Sequence, residues 1–544
     1  MPRPFLTLLL CLALAPCAAA PPAVADEGAT SADPHRGGTL RLVAHAGAGS
    51  IDPQVNDTAQ YWQVFAVSYD GLLTYRKAEG ADGLALVPDL ADALPAVSAD
   101  GLRYEFRLRR GVRFSDGRPV RASDAAASLR RAFRVAGPGA GFLAAIEGAQ
   151  ACTAEPDTCR LEGVEGDDAT GRLTLRLARP DTQLAAKLAL PPASVLPADT
   201  PPHDAGLLPP PGTGPYRIEG YDPGRGLRLV RNPAFRPWSL DAQPDGHLDA
   251  IDYEFGLDEE AAITAIENGQ ADWTFDQPPF DRLPELGARY AALVHLHQTD
   301  AIWFMALNTR EAPFDDPRVR RAVALAVDRD AAALVYGGPR MGLAWCTMLP
   351  PILPGSEPGC ATGHDPEEAR RLVREAGALG ARVTLVADQS SVQRQLGTYL
   401  QSVMASIGLD ARLSTLSGDI QFTYIQNSAN HVQASLSPWY ADFPDASDFL
   451  DVLASCGAFH PGSDSSLNMS GFCDPAIDVA MREAEAATGA DAAARWAAID
   501  RRVMERSPMV VVLVPSYVDV VAARVHGYAY TPLYHMLLSA LWLR

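Results

Sequence analysis

Lysine is almost absent from this 544-residue sequence. Only Lys77 and Lys187 are present, so arginine carries nearly all of the positive charge. Acidic residues outnumber basic residues by 66 to 46, which gives a formal net charge of −20. A surface with this excess of negative charge repels the phosphates of nucleic acids and of anionic membranes. The composition therefore argues against both as binding partners.

After its N-terminus, the sequence also lacks an apolar run of about 20 residues, the length that a transmembrane helix needs. At the N-terminus itself, Arg3 precedes an apolar stretch over residues 5–15, and the A-V-A sequence at residues 23–25 is typical of a signal-peptide cleavage site. We therefore predict a signal peptide at residues 1–25 and a periplasmic location. A lipid-modified Cys17 is the alternative, which we favour less because Pro16 stands where a small residue is expected.

Common catalytic and metal-binding motifs are missing as well. The sequence has no G-x-S-x-G, H-E-x-x-H or P-loop motif, and its 11 histidines are scattered. Its cysteines show neither C-x-x-C spacing nor a histidine at zinc-finger spacing. We therefore expect a protein that is not an enzyme and that has no cofactor and no metal site.

Six cysteines remain once the predicted signal peptide is removed. An even number of cysteines in an exported chain predicts disulfides, and six of them allow 15 connectivities. These cysteines fall into three groups of two that are close in sequence and lie in segments rich in proline, glycine and aspartate. We therefore favour three sequence-local disulfides: Cys152–Cys159, Cys346–Cys360 and Cys456–Cys473.

The chain is too long for one hydrophobic core, which predicts at least two lobes. Residues 303–307 form an unbroken apolar run, typical of a strand that is buried on both faces. Strand-like segments at residues 383–387 and 409–413 flank a helical pattern that ends near residue 407. This order predicts a β-α-β unit with two parallel strands, and with it an α/β fold class.

Residues 437–445, with the sequence S-P-W-Y-A-D-F-P-D, form the candidate binding segment. Its two prolines restrict the backbone, which predicts a loop of fixed shape, and Asp445 or Ser447 is placed to cap a helix over residues 448–453. A carboxylate beside exposed aromatic rings suits a cationic, partly apolar ligand. The alternative is a surface loop whose aromatic residues pack beneath it.

Several further motifs follow one another in a fixed order. They are V-P-D-L-A at 87–91, G-V-R-F-S-D-G-R-P-V at 111–120, G-T-G-P-Y at 212–216 and P-F-D-D-P-R-V-R-R-A at 313–322, with W-Y-A-D-F from residue 439. In this order they resemble family 5 of the extracytoplasmic solute-binding proteins of peptide-type ABC transporters. That family includes oligopeptide-, dipeptide- and nickel-binding proteins.

The resemblance implies a bilobal periplasmic-binding-protein fold, type II-like, with a hinge between the lobes. Lobe one would comprise residues 37–302, with an extra subdomain at about 57–205. Lobe two would comprise residues 303–510, and residues 511–544 would return to lobe one. The implied partners are a peptide or another small solute and the membrane permease subunits of an ABC importer, and we expect a monomer.

The resemblance also implies a ligand site. The family's matching aspartate pairs with the α-ammonium of a peptide, and its matching tryptophan lines the side-chain pockets, which assigns these roles to Asp442 and Trp439. Tyr440 is added because it is adjacent, and Phe443 replaces the family's usual tyrosine. A nickel chelate, an opine or an oligosaccharide remain alternative ligands. An exported enzyme or a DNA-binding regulator are the other function classes, although the predicted signal peptide and the lack of a helix-turn-helix argue against the regulator.

Overall fold

This computed structural model describes residue 1 and residues 33–47, 49–135, 137–279, 281–361 and 363–544. Residues 2–25 of the predicted signal peptide, and Cys17 with them, lie outside the described residues. Among the helices in these ranges, none combines the length and the hydrophobicity that crossing a membrane requires.

The strands are numbered in chain order. From β1 to β22 they are Thr39–Ala44, Leu73–Tyr75, Leu86–Pro88, Ala96–Val97, Arg103–Arg107, Val164–Asp167, Arg172–Arg176, Tyr216–Asp222, Gly226–Arg231, Ala250–Phe255, Trp273–Thr274, Val294–Gln298, Ala301–Leu307, Gly342–Ala344, Arg382–Asp388, Asp410–Leu416, Ala434–Tyr440, Met509–Val520, Val525–His526, Tyr530–Thr531, His535–Met536 and Trp542–Leu543.

The α-helices are numbered in the same way. From α1 to α15 they are Ala59–Phe65, Ala122–Arg131, Gly139–Phe142, Ala149–Ala154, Leu184–Lys187, Glu259–Glu267, Leu283–Arg289, Pro317–Ala326, Arg329–Val335, Pro366–Glu375, Ser391–Ser406, Gly418–Gln426, Ser447–Ala454, Pro475–Glu485 and Gly489–Arg506.

Three larger sheets organise the described residues. A five-stranded sheet has the order β11-β1-β10-β9-β8, and β1 runs parallel to both of its neighbours. A four-stranded antiparallel sheet has the order β4-β5-β7-β6. A seven-stranded sheet has the order β12-β18-β13-β17-β15-β16, with β14 also paired to β18. In the seven-stranded sheet, β15 and β16 form the predicted parallel β-α-β pair around α11.

The seven-stranded sheet carries apolar side chains on both faces, as predicted for residues 303–307. Along β13, Trp303 and Met305 pack into one buried cluster, whereas Ile302 and Phe304 pack into another on the opposite face. Successive side chains of a strand point to opposite faces, so an unbroken apolar run is what a doubly covered strand requires. This strand therefore forms the centre of its part of the molecule.

A separate hydrophobic core joins the five-stranded and four-stranded sheets. The apolar C-terminal segment after β18 packs into this core, where Tyr534, Leu537 and Leu541 are buried. Phe443, which follows β17 of the seven-stranded sheet, is also buried in it. The segment around Phe443 therefore connects the two main parts of the molecule.

The three predicted disulfides are present. Their Cα–Cα distances are 4.4 Å for Cys152–Cys159, 5.4 Å for Cys346–Cys360 and 4.4 Å for Cys456–Cys473.

The lobe boundaries given above stay predictions. Residues 302/303 fall inside β13 and residues 510/511 fall inside β18, and both strands belong to the seven-stranded sheet. After this sheet, Val521 bridges to Trp273 of β11 in the five-stranded sheet. The chain thus passes between the two large sheets at the end of β18.

Candidate functional site

A cavity of about 370 Å³ lies where α1 and the C-terminal segment meet the ends of β13 and β17. Ligand pockets in proteins typically measure about 300–1,000 Å³, so this volume suits a small ligand or one end of a longer one. Three carboxylates line the cavity, together with several aromatic rings: Asp57, Asp300, Asp442, Trp62, Phe275, Tyr440, Tyr517 and Tyr530. No lysine or arginine is among the described lining residues.

The candidate segment begins as a strand, which corrects the prediction of a loop from residue 437. β17 extends to Tyr440 and pairs with β13 along its whole length. On its other side, β15 pairs with it only at Ala434 and Ser435. Pro438 therefore lies where β17 has a sheet partner on one side only, a position at which strands tolerate proline.

The backbone of Asp442 is held by the helix that follows it. The N–H of Asp442 donates to Oδ2 of Asp448 at 2.8 Å, and Asp448 is buried in the first turn of α13. Asp445 accepts from the N–H of Ser447 at 2.8 Å and from its hydroxyl at 2.7 Å. The helix begins at Ser447, one residue earlier than predicted, and these bonds fix the position of Asp442 at the cavity.

Two of the three predicted ligand residues, Tyr440 and Asp442, line the cavity. Trp439 does not: its side chain is 9% exposed and packs beneath the segment in a buried cluster with Phe449 and Leu450. Its indole N–H donates to the carbonyl oxygen of Asp448 at 2.9 Å. In this conformation Trp439 supports the segment from behind, and its predicted contact with a ligand stays a prediction.

The cavity is surrounded by protein, yet the side chains of Tyr440 and Asp442 face open space. Tyr440 is 52% exposed, and Asp442 is exposed as well. Desolvation by the surrounding protein, with the charge of Asp300, raises the pKa of Tyr440 to about 12. Desolvation, with the charge of Asp57, raises the pKa of Asp442 to about 6. A cation placed between these carboxylates would favour their ionised forms and so lower their pKa values again. The same attraction would bind the cation in the cavity.

Asp300 is the functional candidate that sequence reasoning missed. It lies in the turn between β12 and β13, is 5% exposed, and its Oδ2 has no hydrogen-bond partner among the described residues. Desolvation, with the charge of Asp442, raises its pKa to about 7. The sequence did contain a signal for Asp300: the polar pair T-D at residues 299–300 directly precedes the unbroken apolar strand, which places the aspartate at the end of a buried strand.

Part of the aromatic wall comes from the C-terminal segment, to which the sequence analysis assigned no role. Tyr530 stacks on His297 with ring centroids 4.0 Å apart, and His535 contacts Tyr517 edge-on at 4.6 Å. Desolvation, with the neighbouring His297, lowers the pKa of His535 to about 4, so His535 is neutral at pH 7. The cavity therefore combines apolar rings with charges of one sign only.

Trp62 of α1 completes this wall. It is 5% exposed, and its indole N–H has no acceptor among the described residues. A donor of this kind can bind a carbonyl oxygen of a ligand. Within the described residues, no group of three or more His, Cys, Asp or Glu side chains is placed to hold a metal ion. The arrangement suits an organic cation with an apolar part and a hydrogen-bond acceptor.

Comparison with known proteins adds relatives of the whole chain. Di/tripeptide-binding protein 2 of Pseudomonas aeruginosa (strain UCBPP-PA14) is 26% identical, over 94% of this chain and 95% of the relative. The structure of clavulanic acid biosynthesis oligopeptide binding protein 2 matches with a TM-score of 0.86 at 24% identity, over 94% of this chain and 96% of that chain. DppA from Helicobacter pylori, in complex with the peptide STSA, matches with a TM-score of 0.76 at 20% identity, over 94% and 98%.

These structural matches confirm the predicted fold class. The family described as bacterial extracellular solute-binding proteins, family 5 Middle, matches residues 85–460. That range includes the ordered motifs from V-P-D-L-A to the Trp439 segment, and it covers well over half of the chain. The chain therefore belongs to family 5 of the bacterial extracellular solute-binding proteins.

Proposed function

We propose that this protein captures short peptides in the cavity beside β17 and delivers them to the membrane permease of an ABC importer. Asp442 anchors the peptide's α-ammonium. The observation that carries the proposal is an all-negative, aromatic-walled cavity lined by Asp442, the residue to which the sequence resemblance assigns the α-ammonium. Di/tripeptide-binding protein 2, which this chain resembles over its whole length, supports the peptide as ligand.

The groups around Asp442 suit the start of a peptide. The carboxylate of Asp442 faces the cavity and has Asp57 beside it, so a single ammonium would relieve the repulsion between them. The unpaired indole N–H of Trp62 supplies a donor for a peptide carbonyl oxygen. Tyr440 and Phe275 supply apolar surface for the first side chain. The peptide's carboxylate would then lie away from the three carboxylates.

Ligand binding would stabilise a closed arrangement of two lobes. The cavity is lined both by Trp62 and Phe275, on the side of the five-stranded sheet, and by Asp300, Tyr440 and Asp442, on the side of the seven-stranded sheet. A ligand that contacts both sides shifts an open–closed equilibrium toward the closed form. The permease would then recognise the closed, loaded form.

Calorimetry with trialanine and N-acetyl-trialanine tests the anchor. The wild-type protein should bind trialanine at least about tenfold more tightly than its acetylated form, because acetylation removes the charge that Asp442 pairs with. Asp442→Asn should weaken the binding of trialanine by more than about tenfold, since it leaves the ammonium without its anion. Asp330→Asn is the matched control, because Asp330 is an exposed residue of α9 and loses the same charge.

Two results would contradict parts of this proposal separately. Equal affinities for the free and the acetylated peptide would refute the role of Asp442 and leave the peptide as ligand. The absence of binding heat with any peptide would refute the peptide itself and favour a solute of another class.

A further inference from the structure

We propose that Asp300 forms a second cation subsite, so that the preferred ligand carries two positive groups close together: an α-ammonium at Asp442 and an ammonium or guanidinium on the first side chain at Asp300. This inference rests on the proposed function and names the substrate class within it. A peptide with an N-terminal basic residue has this chemistry, and so does a free diamine.

Asp300 is buried with one carboxylate oxygen that has no hydrogen-bond partner among the described residues. Its side chain is 5% exposed, and its Oδ2 has no partner among the described residues. Most buried polar atoms in folded proteins have a hydrogen-bond partner, because losing water without replacing its hydrogen bonds destabilises the fold. Other buried carboxylates in this chain obey that rule: Asp500 accepts from the N–H groups of Met348 and Leu349 at 3.0 and 3.2 Å. Asp300 is therefore left for a partner that arrives with the ligand.

Asp300 and Asp442 lie close to each other at the same cavity. The N–H of Ala441, the residue before Asp442, donates to the carbonyl oxygen of Asp300 at 3.2 Å. The two carboxylates thus start from adjacent strand ends and line the same cavity, and burial together with the charge of Asp442 raises the pKa of Asp300. Two cationic groups on one small ligand can therefore reach both of them.

The cavity wall around Asp300 is aromatic. Tyr440 and Tyr530 line the cavity beside it, and desolvation together with the charge of Asp300 raises the pKa of both phenols. Aromatic faces attract cations and accommodate the methylene groups of a lysine or arginine side chain. No described lining residue is cationic, so the charge of Asp300 is left for the ligand to balance.

A single ammonium shared between Asp442 and Asp300 is the rival arrangement, and matched peptides distinguish the two. Lys-Ala-Ala and norleucine-Ala-Ala differ by the side-chain ammonium at nearly equal chain length. Calorimetry at pH 7 should show Lys-Ala-Ala binding to the wild-type protein about tenfold more tightly or better, on the scale of a desolvated charged hydrogen bond. Asp300→Asn should abolish this preference and leave the norleucine peptide within about twofold of its wild-type affinity. Asp330→Asn should keep the preference.

The pH dependence of the two peptide affinities tests the same subsite in the wild-type protein, without a substitution. The ionisable groups that face Asp300 are Asp442, Asp448, Tyr440 and Tyr530. Asp300 is mostly protonated at pH 5, because its pKa is about 7. The ratio of the two peptide affinities should therefore approach one at pH 5, whereas protonation of Asp442 weakens the binding of both peptides.

Several outcomes would overturn the second subsite. Equal affinities of the two peptides in the wild-type protein would do so, and so would an Asp300→Asn variant that weakens both peptides alike. Calorimetry with 1,5-diaminopentane separates this inference from the proposed function. If no peptide binds, Asp300-dependent binding of the diamine retains the subsite and rejects peptide transport, whereas no binding of the diamine rejects both.

Discussion

Asp300→Asn should make the ligand-free protein less sensitive to pH. The carboxyl of Asp300 has its pKa raised from 3.8 to about 7 in the folded protein, because burial and the charge of Asp442 disfavour its ionised form. This raised pKa costs no stability below pH 3.8, where the carboxyl is protonated in both states; stability is then lost as the pH rises from 3.8 to about 7, and the loss is constant above that. Asparagine has nearly the same shape and does not titrate, so it removes this pH dependence.

The size of the effect follows from the two pKa values. Between pH 5 and pH 8, a carboxyl whose pKa is about 7 when folded and 3.8 when unfolded removes about 2–3 kcal/mol from the free energy of unfolding. Burying the uncharged amide also costs free energy, but that cost is the same at every pH. The difference between wild type and variant across the pH range therefore isolates the titration of Asp300.

Urea unfolding at pH 5, 6, 7 and 8, followed by tryptophan fluorescence, measures this difference. The free energy of unfolding of the wild type should fall relative to that of Asp300→Asn by about 2–3 kcal/mol from pH 5 to pH 8. Buried carboxyls on which the charge of Asp300 does not act, such as Asp500 with its pKa of about 6, are common to both proteins and cancel. Parallel pH profiles would show that the carboxyl of Asp300 does not have a raised pKa in the folded protein.

Two further predictions concern residues outside the cavity. Phe443→Ala should lower the affinity for trialanine severalfold and increase the radius of gyration of the ligand-free protein in small-angle scattering. Phe443 follows β17 of the seven-stranded sheet but is buried in the core that joins the five-stranded and four-stranded sheets, so it connects the two parts. An unchanged radius and affinity would contradict this. Arg131→Ala should lower the free energy of unfolding by about 3–5 kcal/mol, because Arg131 and Asp52 form a buried ion pair with Nη1–Oδ1 at 3.1 Å. Arg110→Ala, at an exposed position, is its control in urea unfolding, and equal losses in the two variants would refute the role of the pair.

The sequence determined those features that depend on local pattern. An apolar run without polar interruption can be buried only between two covered faces, so residues 303–307 predicted the central strand of the larger sheet. Six cysteines allow 15 connectivities, but their closeness in turn-rich segments favoured local pairing, and the three local disulfides are present. The ordered motifs indicated the family because several of them, such as the turn in residues 111–120 and the helix start in residues 313–322, have residues that backbone geometry restricts.

The candidate site could be predicted only in part. Asp442 and Tyr440 were found because an aspartate beside aromatic residues is visible in the sequence, and both line the cavity. Trp439, their neighbour, packs on the other side, because successive side chains of a strand point to opposite faces and the strand β17 extends further than its proline indicated. Adjacency in sequence does not decide which face a side chain occupies.

Tertiary structure alone decided the remainder of the cavity. Trp62, Asp300 and Tyr530 are separated by more than 200 residues along the chain, and they meet because α1, the β12–β13 turn and the C-terminal segment converge at one point. The sequence by itself determined the family, the fold class, the disulfides and the place of Asp442 in the candidate site, all of which are encoded within short segments. The second carboxylate and the aromatic wall depend on contacts between distant segments, and whether a buried aspartate has a partner is set by all the atoms around it.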